Sequence, residues 1–271
     1  MGLAVCATPI GNLEDVTLRV LRELREADVV LCEDTRHTKG LLDRHGIAAR
    51  LISYHRHNEA GRTSELLPRL LGGERVALVS DAGLPGVNDP GARLIEAVLE
   101  AGVPVTVLPG PSAVETALVA SGLVGERYQF LGYLPRGEKA LVALWEELSA
   151  WRHPAVAFES PKRLALALRT LAGVAPERPV AVCRELTKLH EEVVRGTAAE
   201  LADRFADAPK GEITIVIGAA ASAPPVEERD ALEAVVELVA AGVPRRQAAD
   251  VVARLARISR NTLYSKSLKT R

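Results

Sequence analysis

The chain has 271 residues, of which 48% are hydrophobic and 3% aromatic, and its formal net charge is −1. No uncharged apolar run approaches the ~18 residues of a membrane span, and no basic segment precedes an apolar one at the N-terminus. We therefore expect no membrane contact and no signal peptide, and we expect a cytoplasmic location. The length favours about two or three folding units.

Short apolar runs alternate with amphipathic helical patterns through the first half of the chain. Residues 3–7, 29–32, 51–53, 76–79 and 105–108 predict five strands separated by helices. Gly- and Pro-rich loops follow the first, fourth and fifth of these strands. Ligands bind at the carboxyl ends of strands in open α/β sheets. We therefore predict an N-terminal α/β domain over residues 1–122 with a ligand site at this edge.

The loop from Ser80 to Gly91 is the strongest single indication of a ligand site. Its glycines permit sharp turns and its prolines restrict its conformations. Asp89 and Pro90 predict the N-cap and first residue of the next helix. The buried face of that helix is expected to comprise Leu94, Ile95, Val98 and Leu99.

Helix-start signals recur further along the chain. Ser112 with Glu115, and Thr197 with Glu200, have the spacing of a capping box. The Ser-Pro pair at 160–161 predicts an N-cap followed by proline at the first helical position. Helices are therefore expected to begin at all three places.

A second α/β domain is predicted over residues 123–221. Strand candidates lie at 155–158, 180–183, 192–195 and 213–217, whereas 132–137 resembles a connection. Their spacing leaves the strand order open. A cleft completed by the two domains is the expected place for a sizeable ligand.

A linker of small residues and prolines at 219–225 precedes a helical extension, residues 222–271, that resembles a helix-turn-helix. From Pro244 onward there are eight Lys or Arg residues and one acidic residue, a local balance of plus seven. Such a tail on a nearly neutral protein favours a polyanionic partner, with a solvated helix face or a dimer contact as the alternative.

The three cysteines, Cys6, Cys32 and Cys183, each lie in an apolar run. An odd number in such positions favours buried free thiols over disulfides. The histidines do not combine with cysteines or carboxylates in a zinc-binding spacing, so no metal site is predicted.

Six motifs occur in one order along the chain: residues 7–15 (ATPIGNLED), 33–38 (EDTRHT), 80–91 (SDAGLPGVNDPG), 108–113 (LPGPSA), 158–161 (FESP) and 184–188 (RELTK). Together they resemble the ribosomal small-subunit RNA methyltransferases of the tetrapyrrole methylase superfamily, over about residues 3–218. The helical tail also matches the C-terminal extension usual in these enzymes.

This resemblance implies a bilobal fold, usually homodimeric, whose two α/β domains bind S-adenosylmethionine between them. The implied reaction is methylation of the ribose 2'-hydroxyl of a cytidine in the decoding region of small-subunit ribosomal RNA, with the assembled subunit as the expected partner. The cofactor contacts implied by the family's loops are Pro9, Asp81, Gly83, Leu84, Ser112 and Ala113.

Two positions depart from the family's usual residues. Leu84 stands where threonine is usual and Lys162 where histidine is usual, so a hydroxyl or imidazole role is absent at these positions. For Asp81 a turn-forming role is the alternative to cofactor binding, and for Ser112 the alternative is the helix cap.

Transfer of a methyl group to a hydroxyl needs alignment of the reacting atoms and a proton acceptor. Charged residues near the motifs are the candidates for catalysis: Glu33, Lys162, Glu185 and Lys188. Candidate RNA contacts are Arg36, His55, Asn58, Arg163, Arg184, Arg245, Arg246 and Arg260. For any one of these residues a surface or ion-pair role is equally expected.

Two other functions compete with this interpretation. A methyltransferase acting on a tetrapyrrole of the precorrin type would share the cofactor site but has no evident use for the basic tail. A non-enzymatic nucleic-acid-binding regulator would explain the tail alone, and cofactor binding would discriminate it. A nucleotide-binding dehydrogenase is disfavoured because no Gly-x-Gly-x-x-Gly follows the first strand.

Overall fold

The computed structural model describes residues 2–220, 227–256 and 258–268. The chain divides after Ala220 into two compact units, each with its own core. Most of the linker predicted at 219–225 lies outside the described residues. No helix of the described part is long and apolar enough to cross a membrane.

The first unit opens with the five strands predicted, which form an all-parallel sheet. Its strands are β1 (Leu3–Cys6), β2 (Val29–Cys32), β3 (Leu51–Ser53), β4 (Val76–Leu78) and β5 (Val105–Leu108), in the order β3-β2-β4-β1-β5. The intervening helices are α1 (Leu18–Glu26), α2 (Thr35–Arg44), α3 (Glu59–Leu71) and α4 (Ala92–Glu100). Both faces of the sheet are covered, which explains why its strands are continuous apolar runs.

Side-chain alternation along these strands divides the core between the two faces of the sheet. Leu3 and Val5 of β1 pack on one face, and Ala4 and Cys6 pack on the other. On α4 the prediction was wrong at Leu99, which is 58% exposed, whereas Leu94 and Val98 are buried.

A second five-stranded sheet follows in the same unit. Its elements are α5 (Ala113–Ser121), β6 (Gln129–Tyr133), α6 (Glu138–Ser149), β7 (Ala155–Glu159), α7 (Pro161–Val174), β8 (Pro179–Arg184), β9 (Glu192–Thr197), α8 (Ala198–Arg204) and β10 (Ile213–Ile217). The strand order is β6-β7-β10-β8-β9, and only β6 and β7 are parallel. Helix α5 packs across one face of this sheet.

The connection predicted at 132–137 begins two residues later than expected. Gly132 and Tyr133 belong to β6, and Gly132 has a φ of +68° within a register shift between Phe130 and Tyr133. A glycine therefore marks a bulge here, as it often does inside strands.

The second unit contains three helices among its described residues, in agreement with the helical extension predicted there. They are α9 (Glu228–Ala240), α10 (Arg245–Ala256) and α11 (Arg260–Ser267). Their shared core includes Ala231, Val235, Ala249 and Leu263.

Candidate active site

A cavity of about 810 Å³ lies in the first unit, where loops at the carboxyl ends of β4 and β5 meet strands β6, β7 and β10 of the second sheet. This volume suits a cofactor-sized molecule. Apolar side chains form much of the wall, among them Ile10, Leu84, Phe130, Phe158 and Leu186.

Motifs from distant parts of the sequence meet around this cavity. The N–H groups of Thr8 and Gly83 each donate to the other's carbonyl, at 2.9 and 3.0 Å, which joins the first motif to the 80–91 loop. The N–H of Asn12 donates to Oγ1 of Thr187, at 3.0 Å, which joins the first motif to the last. A Cβ on Gly11 would lie 2.6 Å from that same oxygen, so the contact requires glycine.

The helix start predicted at Asp89 is wrong. Helix α4 begins at Ala92, with Gly91 as its N-cap at a φ of +138°. This backbone conformation stops the helix from extending back to Pro90, and Asp89 lies on the cavity wall instead.

The capping box predicted at Ser112 and Glu115 does not form, although α5 begins at Ala113 as expected. The Ser112 side chain makes no capping hydrogen bond to the backbone, and its hydroxyl donates to the carboxylate of Glu115. The hydroxyl of Tyr128 donates to the other Glu115 oxygen. Burial opposes ionisation of Glu115, but these two hydrogen bonds lower its pKa. By contrast, the capping box of Thr197 and Glu200 is confirmed.

Five of the six predicted cofactor residues line the cavity: Asp81, Gly83, Leu84, Ser112 and Ala113. Pro9 lies instead in a small neighbouring recess, together with Thr38 and Ser80. Asp81 borders both spaces.

The cavity is lined by carboxylates and by no Lys or Arg side chain among the described residues. These acidic residues are Asp81, Asp89, Glu115, Glu159 and Glu212. A cavity so lined favours a positively charged ligand over an anionic one.

Glu159 is only 3% exposed, and the sequence analysis did not predict it as a site residue. Its Oε1 accepts from the Ser160 N–H at 2.6 Å and from Nε of Arg163 at 2.7 Å. Its Oε2 is buried on the cavity wall without a partner in the described part of the chain. Arg163 was predicted to contact RNA. Because its guanidinium donates both to Glu159 and to the Leu134 carbonyl, it holds the Glu159 carboxylate in place.

Glu33 lies at the carboxyl end of β2, outside the cavity lining. Its pKa is raised first by burial and then by Asp81, against the opposing charges of Arg56 and His55. Oδ1 of Asn58 accepts a hydrogen bond from the His55 N–H at 2.8 Å, and its Nδ2 donates to the Ser53 carbonyl. Asn58 therefore stabilises the turn after β3.

Glu185 and Lys188 form a network at the edge of the cavity. Glu185 Oε1 accepts from the Glu212 N–H at 2.9 Å and from Lys188 Nζ at 3.0 Å, and Lys188 also pairs with the Glu212 carboxylate. Burial opposes charging of Lys188, but its two carboxylate partners raise its pKa. The hydrogen bond from Glu212 and the Lys188 ammonium lower the pKa of Glu185. Both shifts disfavour these residues as proton acceptors at neutral pH.

The remaining predicted residues differ in how free their side chains are. Arg184 is held by Glu192 and the Lys210 carbonyl, whereas Arg36 pairs with Asp34 on the exposed surface. Lys162 is exposed at the start of α7, beside the cavity-lining Pro161.

In the second unit the three predicted arginines also differ. Arg245 donates to the Ser267 carbonyl, and a guanidinium nitrogen of Arg260 lies 4.0 Å from Oδ1 of Asp250. Arg246 is exposed and has no partner among the described residues.

Asn88 is a second site residue that the sequence prediction did not select. Its φ is +64°, and its buried Nδ2 on the cavity wall has no partner among the described residues. A non-glycine residue in this conformation is uncommon and is often found at a ligand site. The available signal was an asparagine, the residue type best suited to positive φ, inside a glycine-rich loop.

Residues 2–202 match the family model described as Tetrapyrrole (Corrin/Porphyrin) Methylases. The curated relatives include the Ribosomal RNA small subunit methyltransferase I of Mesorhizobium japonicum, which is 42% identical over 98% of this chain and 91% of the relative. The proteins of the same name from Synechocystis and Mycobacterium tuberculosis are 40% and 46% identical, over 98% and 93% of this chain and 97% and 88% of theirs.

Solved structures share the fold at lower sequence identity. The methyltransferase CobJ superposes with a TM-score of 0.63 and 20% identity, over 82% of this chain and 95% of its own. The uroporphyrin-III C-methyltransferase of Thermus thermophilus, complexed with S-adenyl homocysteine, has a TM-score of 0.56 and 20% identity, over 80% and 97% of the two chains.

Proposed function

Because this chain belongs to the tetrapyrrole methylase family, we propose that it transfers a methyl group from S-adenosylmethionine to small-subunit ribosomal RNA. The support is identity of 40–46% with proteins named Ribosomal RNA small subunit methyltransferase I, over nearly the full length of this chain. The match extends beyond the first unit into the basic helices, which a small tetrapyrrole acceptor would not require.

The cavity residues fit S-adenosylmethionine. This molecule carries two cationic groups, a sulfonium and an ammonium, which the carboxylates of the cavity wall complement. The unpartnered Glu159 oxygen and Asn88 amide provide one acceptor and one donor for a polar ligand. Asp81, Gly83, Leu84, Ser112 and Ala113 are the residues proposed to hold it, with Pro9 beside them. When bound, the cofactor supplies an activated methyl group.

The proposed acceptor is the ribose 2'-hydroxyl of a cytidine in the decoding region, presented by the assembled subunit. Tyr133 is 63% exposed at the cavity wall, and its ring meets Phe158 edge to face with centroids 5.6 Å apart. Aromatic faces at such positions stack unpaired bases. The role proposed for Tyr133 is therefore to hold the target base while the sugar faces the methyl donor.

The basic helices are proposed to supply phosphate contacts. Arg246 and Arg260 present exposed guanidinium groups, whereas Arg163 and Arg184 are held by carboxylates and brace the walls of the first unit. With a net charge of −1, the protein is expected to bind naked RNA weakly and with strong salt dependence. The active form is proposed to be a homodimer located in the cytoplasm. Light scattering of the purified protein would test whether it is a dimer.

The deciding experiment is methyl transfer from labelled S-adenosylmethionine to small subunits that lack the modification, followed by mass mapping of the labelled nucleotide. Parallel reactions contain free ribosomal RNA or a tetrapyrrole. Label on a cytidine 2'-oxygen supports the proposal, whereas label on the tetrapyrrole alone contradicts it.

Two variants on one helix provide the matched control. Ala113→Phe places a ring in the cavity and should abolish cofactor binding, whereas Val119→Phe enlarges a side chain that is 69% exposed on the same helix and should not. Equal cofactor affinity in both variants would contradict the assignment of the cavity.

A further inference from the structure

Asp89 is held on the cavity wall by its neighbour in the loop. An Nη atom of Arg56 donates to the carbonyl of Asn88 at 2.5 Å, and the Asn88 amide faces Gly132 of β6, where a Cβ would lie 3.0 Å from both of its polar atoms. The positive φ of Asn88 persists only where the surroundings enforce it. The loop is therefore fixed from both sides immediately before Asp89.

The other four carboxylates of the cavity already have partners. Glu115 accepts from two hydroxyls, Glu159 pairs with Arg163, Glu212 pairs with Lys188, and Asp81 accepts the Asp34 N–H at 3.1 Å. Asp89 forms no ion pair among the described residues, and the Ser80 hydroxyl, whose hydrogen bonds go to the Ala82 and Gly83 carbonyls, favours its charged form. Asp89 is therefore a carboxylate of the cavity wall whose charge no ion pair within the described part of the chain neutralises, which leaves it able to accept a substrate proton.

Charged and titratable groups approach Asp89 from several elements. They are Glu33 after β2, Arg56 after β3, Asp81 after β4 and Tyr133 of β6, with His55 beside Glu33. Burial first, and Glu33 second, raise the pKa of Asp89 to about 6, while Ser80 and Arg56 oppose this shift. A carboxylate in this range is ionised at neutral pH and is a stronger base than an ordinary aspartate.

We propose that Asp89 is the catalytic base that accepts the proton of the acceptor hydroxyl. This inference rests on the proposed hydroxyl methylation. In the step, the oxygen–methyl bond forms and the sulfur–methyl bond breaks with its electron pair left on sulfur. The hydroxyl proton moves to a carboxylate oxygen of Asp89, so charge and atoms balance.

The first test is Asp89→Asn in single-turnover methyl transfer, with enzyme and cofactor saturating. The rate is expected to fall by about 10²- to 10⁴-fold, the usual range for loss of a general base. Cofactor affinity measured by calorimetry is expected to stay within a few fold. A wild-type rate in Asp89→Asn overturns the inference.

The second test uses the pH dependence of the same rate. The wild-type rate should rise with pH around a midpoint of about 6. Glu33→Gln removes a like charge, so the midpoint should move to lower pH. Asp43→Asn removes the same charge from an exposed pair with Lys39 and should leave the midpoint in place. An unshifted midpoint in Glu33→Gln overturns the inference, even if Asp89→Asn fails to fold.

Thermal unfolding provides a readout that is independent of activity. Because the folded-state pKa of Asp89 is raised, ionised Asp89 reduces stability at high pH, and this penalty disappears as pH falls below the ordinary carboxyl pKa. Asp89→Asn should therefore have a higher Tm than the wild type at about pH 8 but not at about pH 4. A Tm difference that does not depend on pH contradicts the raised pKa and overturns the inference.

Failure of the two proposals can be distinguished. If the wild type labels no subunit hydroxyl, the proposed function fails. If the wild type labels the ribose and Asp89→Asn does so equally fast, only the role of Asp89 fails.

Discussion

We predict that substitution of Arg178 lowers the free energy of unfolding by a large amount. Its side chain is 6% exposed and donates to three carbonyls, those of Gly218 at 2.7 Å, Leu148 at 3.2 Å and Trp151 at 3.1 Å. It has no carboxylate partner among the described residues, and burial lowers its pKa. One guanidinium therefore joins the ends of α6 and β10 near the start of β8.

The magnitude follows from those three hydrogen bonds. Arg178→Met leaves three carbonyls without a donor at about 1–3 kcal/mol each, partly offset because a buried charge no longer needs to be desolvated. The expected loss is about 3–5 kcal/mol in the free energy of unfolding. Arg178→Lys should lose less, since an ammonium still donates but lacks the planar fork.

The two tryptophans report this region directly in urea unfolding followed by fluorescence. Trp145 is buried with its Nε1 donating to Thr170, and Trp151 provides one of the three carbonyls. Arg169→Met, on the exposed face of α7, is the matched control and should change stability by less than about 0.5 kcal/mol. A loss below about 1 kcal/mol in Arg178→Met would refute the reasoning.

Three further predictions concern the site and its surroundings. Gly11→Ala should weaken cofactor affinity by about tenfold in calorimetry, because overpacking against Thr187 costs about 1–3 kcal/mol and displaces a cavity wall. The thiols of Cys6 and Cys183, whose pKa burial raises to about 12 and about 11, should not react with a disulfide reagent at neutral pH until the protein unfolds. Arg246→Ala should weaken subunit binding and reduce its salt slope by about 1.

The controls for these three predictions differ. Gly40→Ala meets open space on α2 and should leave affinity unchanged while stabilising the helix by about 1 kcal/mol. Reaction of Cys6 in the native protein would contradict its burial. An unchanged salt slope in Arg246→Ala would show that its guanidinium does not contact phosphate.

Much of the local structure is predictable from the sequence because it depends on neighbouring residues. The five apolar runs of the first sheet are strands, the cysteines are buried and free, and the Thr197 capping box forms. The family is also predictable, because six motifs in a fixed order are far more specific than any one loop. The match over residues 2–202 confirms that resemblance.

Local signals were misleading where a long-range contact competes with them. Ser112 has the spacing of a capping residue, but its hydroxyl donates to Glu115, which Tyr128 holds in place. Asp89 has the sequence of an N-cap, but Arg56 and Gly132 fix the loop so that it borders the cavity. Tyr128, Arg56 and Gly132 lie well outside the few residues that determine these helix starts.

The sequence by itself determined most of the strands and helices, the motifs and the family of this protein. Only the tertiary structure decided the order of the second sheet, the carboxylates that share one cavity, and the arginines that are held by ion pairs. The physical reason is distance along the chain: Asn12 and Thr187 are 175 residues apart and hydrogen-bonded. Periodicity describes a residue's neighbours on its own helix or strand, whereas the site depends on which elements pack together.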